Sequence, residues 1–328
     1  MNKKIGIWIY PLIVMGFVLI LTNGCEKEKE TIPVPVLTTS AINYISPTAV
    51  TCGGNITSDG GATVNARGVC WSTGHTPTVA DSITTDGTGP GSFISAINGL
   101  STNTTYYMRA YATNSGGTGY GNEISFRTWH TETVTDFDGN VYHIVTIGAQ
   151  DWLVENLKVT HYRNGDPIPN ISDNMQWENL TAGAYCNYDN AQSNSTTYGR
   201  LYNWHAINDS RNIAPTGWHV SSDAEWTVLT TYLGGEAIAG SKLKETGTTH
   251  WLAPNSEATN ETGFTGLPGG GRSYNGTFDY IAWGGAWWTS TPENDYDAWI
   301  RYLDHGSFDV WRYVDGKLYG RSVRCVKD

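Results

Sequence analysis

Between residues 36 and 128 the chain alternates apolar and polar residues over short stretches, and a cluster of turn formers cuts off each stretch. The alternation is clearest at 48–57, 64–72 and 104–114, with Ser58-Asp59-Gly60-Gly61 and Asp86-Gly87-Thr88-Gly89 as interruptions. A period of two sends successive side chains to opposite faces of a strand. Repeated at this spacing with turns between, it predicts an all-β sandwich over 36–128. Within 104–114 the alternation directs Tyr106, Met108, Ala110 and Ala112 to the core and Tyr107, Arg109 and Tyr111 outward. No nucleophile with a base beside it accompanies these strands, so the segment reads as a spacer.

The start of the chain sets the compartment. Met1-Asn2-Lys3-Lys4 precedes an apolar run at 5–21, the charged-then-apolar order of an export signal. That length sits at the lower limit for crossing a hydrocarbon layer of ~30 Å, so length alone leaves an uncleaved anchor helix open. Leu21-Thr22-Asn23-Gly24-Cys25 resembles the lipobox of bacterial lipoproteins, which implies removal of 1–24 and acylation of Cys25. Several acyl chains, such as palmitate, on one residue anchor stably where a single chain binds only reversibly. The run Glu26-Lys27-Glu28-Lys29-Glu30 cannot bury apolar area, so 25–35 is expected to be a solvated tether. It also resembles the acidic stretch that sends some lipoproteins to the outer face of the outer membrane. The expectation is therefore a lipid-anchored, surface-exposed outer-membrane protein, with the membrane as one partner.

Removing 1–24 takes away two lysines and moves the formal charge from −11 to −13. Phosphate backbones repel such a chain, and no basic stripe with interleaved aromatics offsets this, so nucleic acid is not an expected partner. Four cysteines follow Cys25, and export permits disulfides. Cys52 and Cys70 flank the Ser58 turn. They either pair, closing a short loop worth about 3 kcal/mol, or remain two buried thiols.

From Glu132 onward the composition changes, with twelve of the fourteen tryptophans at or after Trp129. Helix signals are few. Ser222-Asp223-Ala224-Glu225 is a capping box opening an amphipathic run to Leu233, which Gly234-Gly235 ends. A second helix is expected over 198–207, and the rest reads as short strands and long loops.

Two resemblances organise these observations. The stretch from Gly99 through Tyr106 to Asn114 resembles the strand F region of fibronectin type III domains, in which a tyrosine hydroxyl pins a corner; Tyr106 holds that place. Asp138-Gly139-Asn140-Val141-Tyr142 and Ile147-Gly148-Ala149-Gln150-Asp151-Trp152-Leu153-Val154-Glu155-Asn156-Leu157 open a second resemblance. It continues through Tyr198-Gly199-Arg200-Leu201-Tyr202-Asn203-Trp204, Pro215-Thr216-Gly217-Trp218-His219-Val220 and Leu267-Pro268-Gly269-Gly270-Gly271-Arg272. It ends with Trp287-Trp288-Thr289-Ser290-Thr291 and Ser322-Val323-Arg324-Cys325-Val326. Together these resemble the Fibrobacter succinogenes major paralogous domain (FISUMP) family over nearly all of 132–328. The resemblance implies an α+β, C-type-lectin-like fold with two or three helices, of the group that includes formylglycine-generating enzymes. Ala214 stands where many relatives carry a cysteine, so Cys325 either pairs with Cys186 or remains a free buried thiol.

Three functional readings follow. An enzyme like the formylglycine-generating relatives would need thiolates, and only Cys186 and Cys325 are available to hold a soft metal. The histidines His143, His161, His205, His219, His250 and His305 lack close ligand spacing. A structural component of the envelope is a second reading. Recognition of an extracellular protein or glycan is the third and is preferred, because 274–313 is rich in tyrosine, tryptophan and asparagine, which give large contact area at small entropic cost. Trp287, Trp288 and Trp299 are assigned to the core, and Tyr274, Asn275, Tyr280, Asn294, Tyr296, Arg301 and Trp311 to the binding surface. Glu293, Asp295 and Asp297, with Asn294, cluster oxygen ligands as calcium requires, though not at EF-hand spacing.

Overall fold

A computed structural model describes residues 31–328; the expected export signal 1–24 and the expected acylation site Cys25 lie outside them. The N-terminal part is a sandwich of two antiparallel sheets. In the first, the ten-residue strand β3 (Ala49–Ser58) pairs with β1 (Val36–Thr39), β2 (Tyr44–Ile45) and β6 (Gly91–Asn98). In the second, β7 (Thr105–Asn114) lies between β4 (Ala66–Ser72) and β8 (Gly117–Tyr120), with β5 (Ser82–Ile83) on β4 and β9 (Ile124–Arg127) also on β7. Met108, Ala110 and Ala112 face Val50, Cys52, Ile56, Phe93 and Ile97 across the interior, as alternation requires. The Tyr106 hydroxyl accepts from the Ser101 amide at 3.0 Å, closing the expected tyrosine corner. Tyr111 departs from expectation. It does lie on the outer face, but it is buried beneath the chain after β5, donating to the Thr84 carbonyl at 2.7 Å.

The disulfide expectation for Cys52 and Cys70 is overturned, since both are free thiols. Cys52 is opposite Ser95, on the inward face, whereas Cys70 is opposite Arg109, one residue out of phase with the inward pair Val69 and Ala110. The two thiols therefore leave their sheets in different directions. Cys52 donates to the Ser95 carbonyl and Cys70 to the Pro77 and Arg109 carbonyls. Burial pushes their pKa values up to about 12 and about 11.

The C-terminal part holds two larger sheets. One runs β10 (Thr133–Thr135), β11 (Val141–Ile147), β12 (Gln150–Leu153), β21 (Cys325–Lys327), β15 (Trp218–Val220). The other runs β17 (Phe278–Ile281), β16 (Gly269–Arg272), β18 (Gly284–Pro292), β19 (Asp297–Asp304), β20 (Trp311–Gly316), and β13 (Tyr185–Cys186) pairs separately with β14 (Leu201–Tyr202). The helices are short: α1 (Asn174–Glu178), α2 (Gln192–Tyr198), α3 (Trp204–Ile207), α4 (Asp223–Tyr232) and α5 (Glu236–Leu243). Helix α4 starts at the capping box and gives way to Gly234 and Gly235 at positive φ, as expected. The single helix expected over 198–207 is instead broken. Gly199 at φ +80 stops α2, β14 intervenes, and the Asn203 side chain caps α3 by accepting from the Ala206 amide.

The two parts share one core. A single cluster of buried apolar residues runs from Leu37 through Trp129 to Val326. Trp129 sits at the junction, donating from Nε1 to the Gly263 carbonyl at 3.1 Å, and Thr246 donates to the Ile42 carbonyl. The sandwich is thus fastened to the domain after it, not hung from it.

Candidate binding cleft

The motif residues of the C-terminal part build its frame. Asn156 is buried and joins three of the motifs: its Oδ1 accepts from Trp287 Nε1 at 2.7 Å and Arg324 Nε at 3.0 Å, and its Nδ2 donates to the Tyr198 carbonyl at 2.8 Å. Trp288 donates to the Tyr202 carbonyl and Trp204 to the Thr289 carbonyl. Arg272, fully buried, donates to the carbonyls of Gly276, Ile171 and Ser172 and to Asn174 Oδ1. Through Asn156 and Arg272 the carbonyls of Tyr198, Ile171, Ser172 and Gly276, which lie in loops and at a helix end, gain donors, as a loop-rich interior needs.

The second large sheet carries the site. Its register sets Ala286 opposite Tyr302, Ile300 opposite Tyr313, and Tyr302 opposite Trp311. Ala286, Ile300, Tyr302, Trp311 and Tyr313 therefore share one face, and Trp287, Arg301 and Arg312 the other. On the first face lies an open cleft of about 490 Å³, within the size range of ligand sites. Gly270, Ala286 and Ile300 line it with little or no polar side chain, and Tyr280, Tyr302, Tyr313 and Tyr319 supply aromatic rings. Asp279, Asp315 and Arg321 supply charge. The Tyr302 ring lies where a Cβ on Gly284 would otherwise stand. Burial first, then the neighbouring Asp304 carboxylate, raises the Tyr302 phenol, so it stays a hydroxyl.

Arg321 is only 9% exposed, and among the described residues its side chain makes one hydrogen bond, from Nε to Asp315 Oδ2 at 2.7 Å. A Cβ on Gly271 would run into its Nη1, so the glycine leaves room for the guanidinium against the backbone. Asp279 accepts from the Ser273 hydroxyl at 3.2 Å. Tyr280 holds φ +68 within a strand, a conformation costing about 1–3 kcal/mol for a residue with a side chain. Strain of that kind is commonest where a side chain must be aimed, and here it accompanies a ring on the cleft.

Of the residues assigned to binding from sequence, Tyr280 lines the cleft, and Tyr274 packs on Tyr319 with ring centroids 5.8 Å apart. Trp311 lies parallel to Tyr313 on the same strand. Asn275 and Asn294 are taken up by turns, accepting from the amides of Thr277 and of Tyr296 and Asp297. Tyr296 is 82% exposed in the loop before β19 and is not part of the cleft lining. Arg301 is a correction, being fully buried on the opposite face of β19 and bound to Asp223 at 2.8 Å and Glu236 at 2.5 Å. Burial tends to raise Asp223, but the hydrogen bonds and charges of Arg312 and Arg301 outweigh it and hold the carboxyl below its usual range. Trp287 and Trp288 are fully buried as expected, and Trp299 is half-buried beneath the Arg312 guanidinium. Sequence reasoning missed Tyr302, Tyr313, Tyr319, Arg321, Asp279 and Asp315 as site residues. The alternation Ile300, Tyr302 and Trp311, Tyr313 was the available signal.

Glu293, Asp295 and Asp297, expected from sequence as calcium ligands, do not gather into a ligand set among the described residues. Asp297 Oδ2 accepts from Asn294 Nδ2, and the Lys317 ammonium donates to the Asn294 and Asp295 carbonyls at 2.7 and 3.0 Å. A lysine held over the Trp204 ring thus occupies the loop's oxygens. Among the described residues no three His, Cys, Asp or Glu side chains gather closely enough to hold an ion. Cys186 and Cys325 do not pair either; both are free and buried in separate clusters. Burial pushes the Cys186 thiol up to about 12 and raises Cys325 as well, so neither offers a thiolate at neutral pH. The sandwich bears its own open hollow of about 640 Å³ between Trp71, Asp81 and Asn98, with no buried charge in its lining.

No curated protein matches the chain. Solved structures give low likenesses. The sensor domain of the anti-sigma factor RsgI4 in Pseudobacteroides cellulosolvens is 12% identical over 30% of this chain and 96% of its own, with a TM-score of 0.23. The fibronectin type III domain of human KIAA0970 protein is 13% identical over 29% of this chain and 74% of its own, at 0.22. The third fibronectin III domain of human KIAA0343 protein is 16% identical over 34% and 95%, at 0.22. At such scores none of these carries weight, and the sandwich assignment stands on strand pairing. Residues 145–327, more than half of the chain, match the model of the Fibrobacter succinogenes major domain, and the chain belongs to that family.

Proposed function

We propose that this is a lipid-anchored protein of the outer-membrane surface whose C-terminal domain, on a C-type-lectin-like plan, recognises an extracellular protein or glycan without catalysis. The observation that carries this reading is the cleft on the second large sheet: aromatic rings with polar tips around a buried guanidinium whose terminal nitrogens have no acceptor among the described residues. Concave sites with a few convergent polar groups are where small ligands and chain segments bind. The buried, protonated thiols favour recognition over redox or metal chemistry. The anchor reading rests on the lipobox-like segment ending in Cys25.

An array of glycans and proteins probed with the detergent-solubilised full-length chain tests it. Retention of a ligand by the wild type, and its loss with Tyr313→Ala at unchanged melting temperature, is the expected result. A blank array would overturn recognition and leave the structural role in the envelope. For the anchor, Cys25→Ser is expected to shift the protein from the membrane fraction to the soluble one; an unchanged distribution would refute acylation at that residue.

A further inference from the structure

Resting on that recognition reading, we infer that the cleft takes a neutral chain of pyranose sugars, stacked on its tyrosines with hydroxyls bridging Arg321 and Asp279. The polar groups of the cleft are of two opposed kinds. The guanidinium of Arg321 only donates, and among the described residues its terminal nitrogens have no acceptor. The carboxylate of Asp279 only accepts, and among the described residues it has one donor, the Ser273 hydroxyl. A ligand satisfying both at once needs groups that donate and accept interchangeably around an otherwise apolar body. Hydroxyls on a sugar ring are such groups, and the ring's C–H face suits the faces of Tyr280 and Tyr313.

Charge narrows the class. Asp315 is paired with Arg321, which leaves Asp279 as the uncompensated charge of the cleft, in a chain of formal charge −11. Uronic, sulfated or phosphorylated sugars would add negative charge beside it and are disfavoured. Length narrows it further. The sheet carries its strands in the order β17, β16, β18, β19, β20, and neighbouring strands lie about 4.8 Å apart. Tyr302 on β19 and Tyr313 on β20 are thus on neighbouring strands, while Tyr280 on β17 stands three strand spacings, about 14 Å, from β19, so the rings are spread along the sheet as an extended occupant and not a lone ion requires.

Calorimetric titration of the detergent-solubilised full-length chain decides the matter. The probes are soluble neutral oligosaccharides of the glucan, xylan and mannan types, an oligouronide, and monosaccharides. A neutral oligosaccharide is expected to bind with Kd below about 1 mM and more tightly than its monosaccharide, with Tyr313→Ala weakening it about tenfold or more. Asp279→Asn is expected to weaken it severalfold, with the melting temperature of both variants unchanged. The inference falls if no neutral oligosaccharide binds by about 10 mM, if the oligouronide binds more tightly, or if both variants bind like the wild type. A protein ligand found on the array and lost with Tyr313→Ala, with every sugar silent, would sink this inference while leaving the recognition reading intact.

Discussion

Between the sheets of the sandwich the side chains that meet are Val50, Ile56, Val69, Phe93, Met108 and Ala110, all apolar. In the C-terminal domain three guanidinium groups, those of Arg272, Arg301 and Arg324, are buried as deeply as the tryptophans around them. The difference follows from strand length. Ten-residue β3 and β7 pair their own backbone groups along continuous ladders, so the sandwich interior has only volume to fill. The C-terminal strands are mostly two to nine residues long and joined by loops, whose inward carbonyls need donors from elsewhere. A guanidinium brings five N–H groups in a rigid fork, and its planar face packs on aromatics, as Arg324 does on Phe264 at 4.1 Å. The teaching is that one chain uses interchangeable apolar volume in one half and fixed polar geometry in the other.

The comparison breaks or holds first at Arg324, which donates to Asn156 Oδ1 and to the Leu153 and Phe264 carbonyls. Arg324→Met keeps an unbranched apolar stem but orphans the two carbonyls, at about 1–3 kcal/mol each, and leaves Asn156 Oδ1 with Trp287 as donor, so the expected loss in urea unfolding exceeds about 2 kcal/mol. Arg324→Lys is expected to recover little, because one ammonium cannot reach all three. A loss under about 1 kcal/mol for Arg324→Met would mean the buried cations are not the frame.

The second test is the matching conservative change in the other half. Met108 is fully buried between the sheets, and Met108→Leu conserves volume, so the expected loss is under about 1.5 kcal/mol. Both variants can be measured in the same denaturation series. If Met108→Leu were as damaging as Arg324→Lys, the sandwich too would depend on fixed geometry and the contrast would vanish.

The same contrast explains what the sequence made legible. In the sandwich, alternation placed Met108, Ala110 and Ala112 correctly, and the tyrosine corner followed from Tyr106, because a ladder imposes its period on every residue. The disulfide expectation failed because it rested on the turn between Cys52 and Cys70 and not on that period, which turns Cys70, one residue out of phase with Val69, outward. In the C-terminal domain the motifs were legible as motifs, yet their roles were not. Asn156, Trp287 and Arg324 meet across more than a hundred residues of chain, and no local period encodes that meeting. Arg301 was assigned to the surface with its aromatic-rich stretch, but an arginine can be buried when paired, and its partner Asp223 lies on another element that no local pattern points to. The cleft was half visible: Tyr280 stood out by its aromatic surroundings, while Arg321 and Asp315 belong to a site only once β20 and the chain after it fold against β16.

The smallest expected effect lies where the two halves join. His143 packs its ring against Trp129, with centroids 4.9 Å apart, and its Nδ1 meets Glu155 Oε1 at 2.6 Å. The hydrogen bond from Glu155 raises the histidine pKa, against a smaller opposing effect of burial. The folded state therefore holds this proton more tightly than the unfolded chain, in which the ring titrates near 6.5. Its contribution is complete below about pH 6.5 and is lost as pH rises through the higher folded value. Because the pair is partly solvated, the contribution is expected to be about 0.2–1 kcal/mol. Urea denaturation of the wild type and His143→Gln at a series of pH values measures it, and the subtraction removes other groups such as His219, also raised, beside Asp328 and Glu225. The stability difference between the two proteins should shrink as pH rises from 6 toward 8. A difference that stays flat across that range would mean the ion pair does not help fasten the apolar half to the polar one, leaving Trp129 and its bond to Gly263 to do so.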